Sequence, residues 1–430
     1  MSIYNLISFL GLFVLMFIAW LFSSDHRRIN IRLILWGIAL QLLFALIIFV
    51  FPPGRALFLR INSVVVTIMG SAMAGAEFVF GRLAYSPGKE DSLGFFLAFQ
   101  GLPAIIFFSA LMSILYFFGI MQKIIVMFAR LFTRLMRVSG AESLCTASNI
   151  FVGVESMLTI RPYLERMTQS ELTTILTAGM ATVASNVLAV YVFSLQAQFP
   201  TIAAHLISAS FLSAPAALIM SKLVVPETET PVTLGQNIHI TYERERTVFE
   251  AIINGANSGL RLIAGIVALL IAVLGLMALA DLVLTGIGGR VNAVLGWGID
   301  WSLKGLLGYI FYPLTLVLGV PLTDAASVAR IIGERAIVTE LTAYQDLATA
   351  LADGVISSGR SAVICAYALC GFAHVASLAI FIGGISAVAP ATTNTLSRVG
   401  FRALIAATLA CLMTACIAGT FYTEGSILFH

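Results

Sequence analysis

The sequence predicts an all-α polytopic membrane protein: eight transmembrane helices, two opposed re-entrant hairpins in an inverted repeat, and interfacial amphipathic helices. Three observations predict it. The 430-residue chain is 60% hydrophobic and only 10% charged, with several apolar runs near the length of about 20 helical residues that a bilayer requires. One apolar segment, CTASNIFVGVESMLTIRPYL at 145–164, carries a carboxylate at its centre, Glu155, beside Gly153 and Ser156. Its two arms, 143–152 and 155–164, are each too short to span, so the segment enters and leaves on one side. A second such segment lies in the other half of the chain, with Glu340. Irregular backbone at membrane depth survives only where it is buried in protein or lines a wet cavity, and an ionisable residue there marks a functional site. The competing reading of 145–164 is an ordinary spanning helix with Glu155 paired structurally.

Composition excludes other classes. The net charge of +3 is spread over loops, whereas a nucleic-acid binder needs a clustered basic face. Cys145, Cys365, Cys370, Cys411 and Cys416 sit in apolar segments with no C-x-x-C and no histidine at ligand spacing. They read as small packing residues, not a disulfide frame or metal site. The apolar run 6–22 lacks a basic flank and a small-residue cleavage site, so it reads as a retained first helix.

In chain order, helix 1 covers 3–22. Arg27, Arg28 and Arg32 follow, which places that loop in the cytoplasm and the N-terminus outside. Helix 2 covers 33–51 and stops at Pro52-Pro53-Gly54. Residues 55–82, rich in small residues, suit a helix lying at the outer interface, and helix 3 covers 95–118. In 121–137, Lys123, Arg130, Arg134 and Arg137 are spaced 7, 4 and 3 apart, on one helical face opposite an apolar one. This is a basic amphipathic helix on the cytoplasmic surface; a calmodulin-type partner helix is the alternative. The hairpin of 143–164 then dips in from that side and ends at Arg161-Pro162. Thr168 with Glu171 three residues on starts helix 4, predicted as continuous over 171–195 with Ser185 and Asn186 at mid-depth. Helix 5 covers 201–224, and the polar stretch 226–255 is a cytoplasmic linker. Helix 6 covers 256–287. The second hairpin runs through 306–340, its first arm breaking at Gly319-Val320-Pro321 and its second returning through Arg330 to Glu340. Helix 7 covers 361–385, with Gly371 followed by His374 and Ser377 suggesting an unwound middle. Helix 8 ends near Phe421. The expected divisions are 1–94 as scaffold, 95–225 as first repeat, 226–255 as linker and 256–430 as second repeat. Broken helices and hairpins that enter from opposite faces are the layout of secondary transporters, with a site at the midplane.

Four polar clusters converge in this arrangement: Asn149 with Glu155, Thr182 with Ser185 and Asn186, Glu340, and His374 with Ser377. None matches a catalytic motif such as H-E-x-x-H, G-x-S-x-G or a phosphate loop, so no enzyme is expected; an intramembrane enzyme is the reading from another class. Carboxylates, amide and hydroxyls suit a polar neutral solute with hydroxyl groups to donate. Asn149 and Val152 have a cation reading, since hard cations take oxygen ligands and unwound backbone supplies carbonyls. Asn149 equally suits the cap of a half-helix. His374 is open between proton carrier, ligand donor and satisfied core residue.

Several long motifs in order resemble the concentrative nucleoside transporter family over nearly the whole chain: GAEFVFGRL (75–83), LPAIIFFSALMSILYFFGIM (102–121), ASNIFVG…E…IRPYL (147–164), MTQSEL (167–172), LLGYIFYPLTLVLGVP (306–321), ALCGFAHVAS (368–377), SAVAP (386–390) and LMTACIAG (412–419). The resemblance implies a homotrimer in the lipid bilayer of the plasma membrane (the inner membrane in a Gram-negative bacterium), importing nucleosides by Na⁺ or H⁺ symport with an elevator-like transport domain. It implies that Gly153, Val154 and Glu155 face the nucleobase, with Val187 near it. Glu340, His374 and Ser377 would hold the ribose, and Phe372 would line the same pocket. A Na⁺ site would use Asn149, Val152, Thr182 and Val183, and the asparagine leans towards Na⁺ over H⁺. The chain also departs from the family. The usual G-Q-[ST]-E tip is Gly153-Val154-Glu155, one residue shorter and without the amide. N-E-F becomes Thr339-Glu340-Leu341, and G-F-A-N becomes Gly371-Phe372-Ala373-His374. Both acids and the serine are kept, so the resemblance leaves the base preference open and allows a modified nucleoside or another polyol-bearing solute.

Overall fold

The computed structural model describes residues 2–86, 89–236, 238 and 245–424, with the backbone alone at Val154. Part of the expected linker (237 and 239–244) and the side chain of Val154 therefore lie outside the described residues. The described residues form α-helices joined by short 3₁₀ and π turns, without a β-strand. Among the described residues, eight helices are long and apolar enough to cross a membrane. The number matches the expectation; by length and composition the set takes in 52–84, read from the sequence as interfacial, and leaves out the two short halves of helix 7, read from the sequence as unwound in its middle.

The first three helices are α1 (Ile3–Leu21), α2 (Ile31–Ala45), which continues through a π turn to Val50, and α3 (Pro52–Phe80). Pro52 and Pro53 open α3, where a missing N–H costs nothing and the fixed φ suits a helix start. With its 3₁₀ extension to Ala84, α3 is counted among the eight by length and composition.

The first repeat holds α4 (Pro103–Phe117), α5 (Ile120–Met136), α6 (Gly140–Asn149), a 3₁₀ arm (Val154–Arg166), α7 (Gln169–Ala181), α8 (Ser185–Leu195) and α9 (Ile202–Val224). Helix α5 has the amphipathic character expected: Lys123, Arg130, Arg134 and Arg137 are exposed while Ile125, Phe132 and Met136 are buried. Helix α6 and the 3₁₀ arm are the two limbs of hairpin 1, and 150–153 is its tip. Thr168 caps α7 reciprocally with Glu171, as predicted. The expected continuous helix over 171–195 is not continuous. It breaks at 182–184, where Thr182 and Ala184 are extended, a conformation β-branched Thr182 takes at little cost, and Ser185 N–H donates to the hairpin-tip carbonyl of Phe151 at 3.0 Å.

The second repeat holds α10 (Val248–Leu295), α11 (Leu303–Val317), α12 (Leu322–Arg335), α13 (Glu340–Ala352), α14 (Gly359–Leu369), α15 (Val375–Val388) and α16 (Thr393–Phe421). At 48 residues, α10 is about 70 Å long and begins inside the stretch read as linker. Hairpin 2 is α12 and α13, and its tip is 336–339, not Gly319-Val320-Pro321. Those residues form the outer turn between α11 and α12: Gly319 sits at φ +79° and Pro321 caps α12. The turn is tied down by Ser8 Oγ on the Leu318 carbonyl (2.7 Å) and Arg360 Nε on the Gly319 carbonyl (2.8 Å). Glu340 therefore opens the returning arm instead of closing it. The expected helix 7 is divided at 370–374 into α14 and α15, neither long enough to span.

The order within the repeats corresponds element by element: hairpin 1 with hairpin 2, broken α7–α8 with broken α14–α15, and α9 with α16. Helix α16 packs against α1, α7, α9 and α14 at the centre. Gly371, at φ +150°, lets the second broken helix approach the first, since a Cβ there would lie 2.6 Å from Cys411 Sγ and 2.9 Å from the Met180 carbonyl.

Candidate functional site

Both hairpin tips and both broken helices border one cavity of about 140 Å³. Gly153 and Glu155 come from hairpin 1, Asn186, Val187 and Tyr191 from α8, and Thr339 and Glu340 from hairpin 2. Phe372, His374 and Ser377 come from the second break, and Leu262, Ile266 and Leu269 of α10 form the facing wall.

Glu340 is the centre of the polar end. Its side chain is buried and sits at the first position of α13, where the helix dipole favours a negative charge. Oε1 accepts a hydrogen bond from Tyr191 Oη at 2.6 Å. Oε2, itself buried, lies 3.1 Å from His374 Nε2 without an aligned hydrogen bond among the described residues. His374 is the N-cap of α15, and its Nδ1 accepts from the Ser377 N–H at 3.2 Å. An accepting Nδ1 places the ring proton of the neutral imidazole on Nε2. Ser377 Oγ is 2.7 Å from the same Nε2. Tyr191 is held by stacking on Tyr344, with ring centroids 4.8 Å apart, and Tyr344 in turn donates to the Ala366 carbonyl at 2.9 Å. The arrangement offers a fixed, charged acceptor beside a histidine donor and a hydroxyl, which suits a vicinal diol.

Of the residues expected to meet substrate, Gly153, Glu155, Val187, Glu340, Phe372, His374 and Ser377 line this cavity. Tyr191 and the α10 wall were missed. Tyr191 lies four residues after Val187 and so on the same helical face, the one sequence signal that could have found it.

The residues expected to hold a cation lie at the neighbouring junction, where α6 ends at Asn149 and α7 ends at Ala181. Asn149 is buried; its Nδ2 donates to the Cys145 carbonyl at 3.1 Å and its Oδ1 accepts from Ser156 Oγ at 2.9 Å. Thr182 is extended, at φ −115° and ψ 161°, and Thr182 and Val183 are buried. Val152 is in the hairpin tip, half-buried. Both helix C-termini carry partial negative charge, and a neutral amide oxygen with backbone carbonyls is the kind of donor set that suits a monovalent hard cation.

Three family models match the chain: "Na+ dependent nucleoside transporter N-terminus" over residues 10–83, "Nucleoside recognition" over 98–198, and "Na+ dependent nucleoside transporter C-terminus" over 205–419. Mouse solute carrier family 28 member 3 is 40% identical over 96% of this chain. Nucleoside permease NupC of Helicobacter pylori is 35% identical over 97% of this chain and 98% of its own. The chain belongs to the concentrative nucleoside transporter family. Its fold is that of CNTnw, a member solved in an inward-facing substrate-bound state, with TM-score 0.86, 35% identity and coverage of 97% and 98% of the two chains. The chain spans 58% of the length of the mouse solute carrier. Concentrative nucleoside transporters are membrane transporters and not enzymes, and a member with eight long apolar helices is a multi-pass protein of the plasma membrane.

Proposed function

We propose that this protein imports nucleosides by secondary active symport, driven by Na⁺. The observation that carries the reading is the buried Glu340 carboxylate at the cavity wall, with one oxygen fixed by Tyr191 and the other, beside His374, without an aligned hydrogen bond among the described residues. Glu340, His374 and Ser377 bind the ribose hydroxyls. Gly153, Val154 and Glu155 of hairpin 1 and Val187 face the base, and Phe372 supplies an apolar wall. Asn149 Oδ1 and the backbone oxygens of Val152, Thr182 and Val183 hold the Na⁺. The bound ion supplies positive charge where two helix C-termini meet, and so fixes the hairpin 1 tip against the α7–α8 break. Because that tip also lines the substrate cavity, ion and nucleoside order the same element, the thermodynamic requirement for coupling. The cavity is walled by α10 on one side and by hairpins and broken helices on the other, which supports an elevator-type movement of the second group against α10. A homotrimer of such protomers is proposed with it.

A second reading is coupling to H⁺, favoured by the contact between titratable His374 and Glu340 inside the cavity; it allows a modified nucleoside or another polyol-bearing solute. Counterflow of radiolabelled uridine and adenosine in proteoliposomes, with and without a Na⁺ gradient, separates the readings. Na⁺-stimulated uptake is expected. Uptake indifferent to Na⁺ but collapsed by a protonophore supports the second reading, and no uptake of any nucleoside sinks both.

A further inference from the structure

Arg335 is a fully buried arginine, 0% exposed, and it forms no ion pair among the described residues. Its Nη1 donates to the Ala368 carbonyl at 2.8 Å, while Nε and Nη2 find no oxygen acceptor among the described residues and the soft Cys411 thiol is the neighbour beside them. An isolated buried cation is costly, so its place in the fold needs a reason. The correspondence of the two repeats supplies one. Asn149 is the last residue of α6, the first arm of hairpin 1, and Arg335 is the last residue of α12, the first arm of hairpin 2. Ala181 ends α7 before the first broken segment, and Leu369 ends α14 before the second. Arg335 thus bonds a last-turn carbonyl of α14, that of Ala368, from the end of α12, as the tip that follows Asn149 bonds the first break through Ser185 N–H on the Phe151 carbonyl. In both repeats the C-termini of a hairpin arm and of a broken helix, each carrying partial negative charge, belong to this junction.

We propose that the Arg335 guanidinium is a tethered cation that fills, in the second repeat, the position that the transported Na⁺ takes in the first. It locks the tip of hairpin 2 to the α14–α15 break, so one junction opens and closes with the ion while the other stays neutralised. Glu340, five residues after Arg335, is thereby held in its liganding position throughout the cycle, and one Na⁺ accompanies each nucleoside. Arg335 is a positioning residue: it lies behind the site and acts through the hairpin. The inference rests on the Na⁺ reading of Asn149, Val152, Thr182 and Val183.

The test compares Arg335→Lys, Arg335→Gln and Arg335→Ser with the parent in proteoliposomes, matched for monodisperse reconstituted protein, with uridine uptake measured against Na⁺. A charge requirement predicts that Arg335→Lys stays within about threefold of the parent while Arg335→Gln, similar in bulk but neutral, falls at least tenfold. The parent should show a Hill coefficient for Na⁺ of about 1, and Arg335→Ser, which empties the position and leaves a hydroxyl among the carbonyls, should steepen towards 2. Equal uptake by the Lys and Gln variants overturns the proposal, and so does an unchanged slope in a folded Arg335→Ser. Should the Ser variant fail to fold, the contrast between Lys and Gln decides. A parent indifferent to Na⁺ would remove the Na⁺ reading on its own; the Lys and Gln contrast would still report whether a fixed cation holds hairpin 2.

Discussion

Replacing Glu340 by glutamine changes the charge of the central acceptor and almost nothing in its bulk. Tyr191 Oη donates to Oε1 at 2.6 Å, and Oε2 faces His374 Nε2 at 3.1 Å. Glutamine can satisfy only one of these directions with its oxygen. If its amide nitrogen turns to His374, two N–H donors face each other, because Ser377 holds the other ring nitrogen as an acceptor. If it turns to Tyr191, the phenol must rotate to accept, and a neutral carbonyl oxygen is left towards the ligand. Either way the ribose hydroxyls lose a charged acceptor. Hydrogen bonds to charged groups are worth about 1.5–3 kcal/mol against about 1 for neutral ones, so a diol making one or two such bonds loses about 1–3 kcal/mol, or about 5- to 150-fold in affinity. The 2′,3′-dideoxy analogue makes neither bond and should lose less than about threefold. The assay is competition of unlabelled uridine and dideoxyuridine against radiolabelled uridine in proteoliposomes of the parent and Glu340→Gln. Equal losses for the two ligands would refute the assignment of Glu340 to the diol.

Two further outcomes follow from the geometry. Asn149→Ala removes the one side-chain oxygen of the cation set, so half-saturation by Na⁺ should rise by about tenfold while uridine affinity at saturating Na⁺ changes little; an unaltered Na⁺ dependence would remove Asn149 from the set. Gly371→Ala places a Cβ 2.6 Å from Cys411 Sγ on backbone at φ +150°, so the variant should lose about 1–3 kcal/mol of stability and melt measurably lower in detergent, and an unchanged Tm would show that the junction yields freely.

The sequence exposed hairpin 1 because a carboxylate, a glycine and a short apolar arm coincide at 153–155. It exposed the break after α14 because Gly371 precedes polar His374 and Ser377 in an apolar helix. Two other breaks were hidden, and for one reason. The α7–α8 break lies at Thr182-Val183 and the hairpin 2 tip at Ile337-Val338-Thr339, with neither Gly nor Pro in either. Their shared signal is a β-branched run, and only at hairpin 2 does a capping side chain follow it: Thr339 accepts from Thr342 N–H, whereas Ala184 before α8 has no side chain to cap with. β-Branched residues are only mildly poor in helices, so tertiary contact decides, and the bond from Ser185 N–H to the Phe151 carbonyl is invisible in sequence. At hairpin 2 the louder Gly319 and Pro321 drew the tip to the wrong turn. Tyr191 was obscured by its apolar neighbours, and the α10 wall carries no polar residue to mark it.

The two acids of the cavity stand in different surroundings, and that difference bears on selectivity. Glu340 is 5% exposed, fixed by Tyr191 and backed by the Tyr191–Tyr344 stack. Glu155 is exposed at a tip whose second arm is a 3₁₀ helix, a weaker geometry than the α-helix. A rigid, buried partner penalises a ligand that lacks its hydroxyl, because the group is then left unpaired; a solvated, movable one adapts or takes water instead. Removal of the ribose diol should therefore cost at least about tenfold in transport affinity, while exchange of uracil for adenine should cost only a few-fold. Competition of uridine, adenosine and their 2′,3′-dideoxy forms against one labelled nucleoside measures both ratios in the same vesicles. If the base ratio exceeded the sugar ratio, the specificity of this chain would reside in hairpin 1, and the tip at Gly153-Val154-Glu155 would have to be a rigid reader despite its exposure.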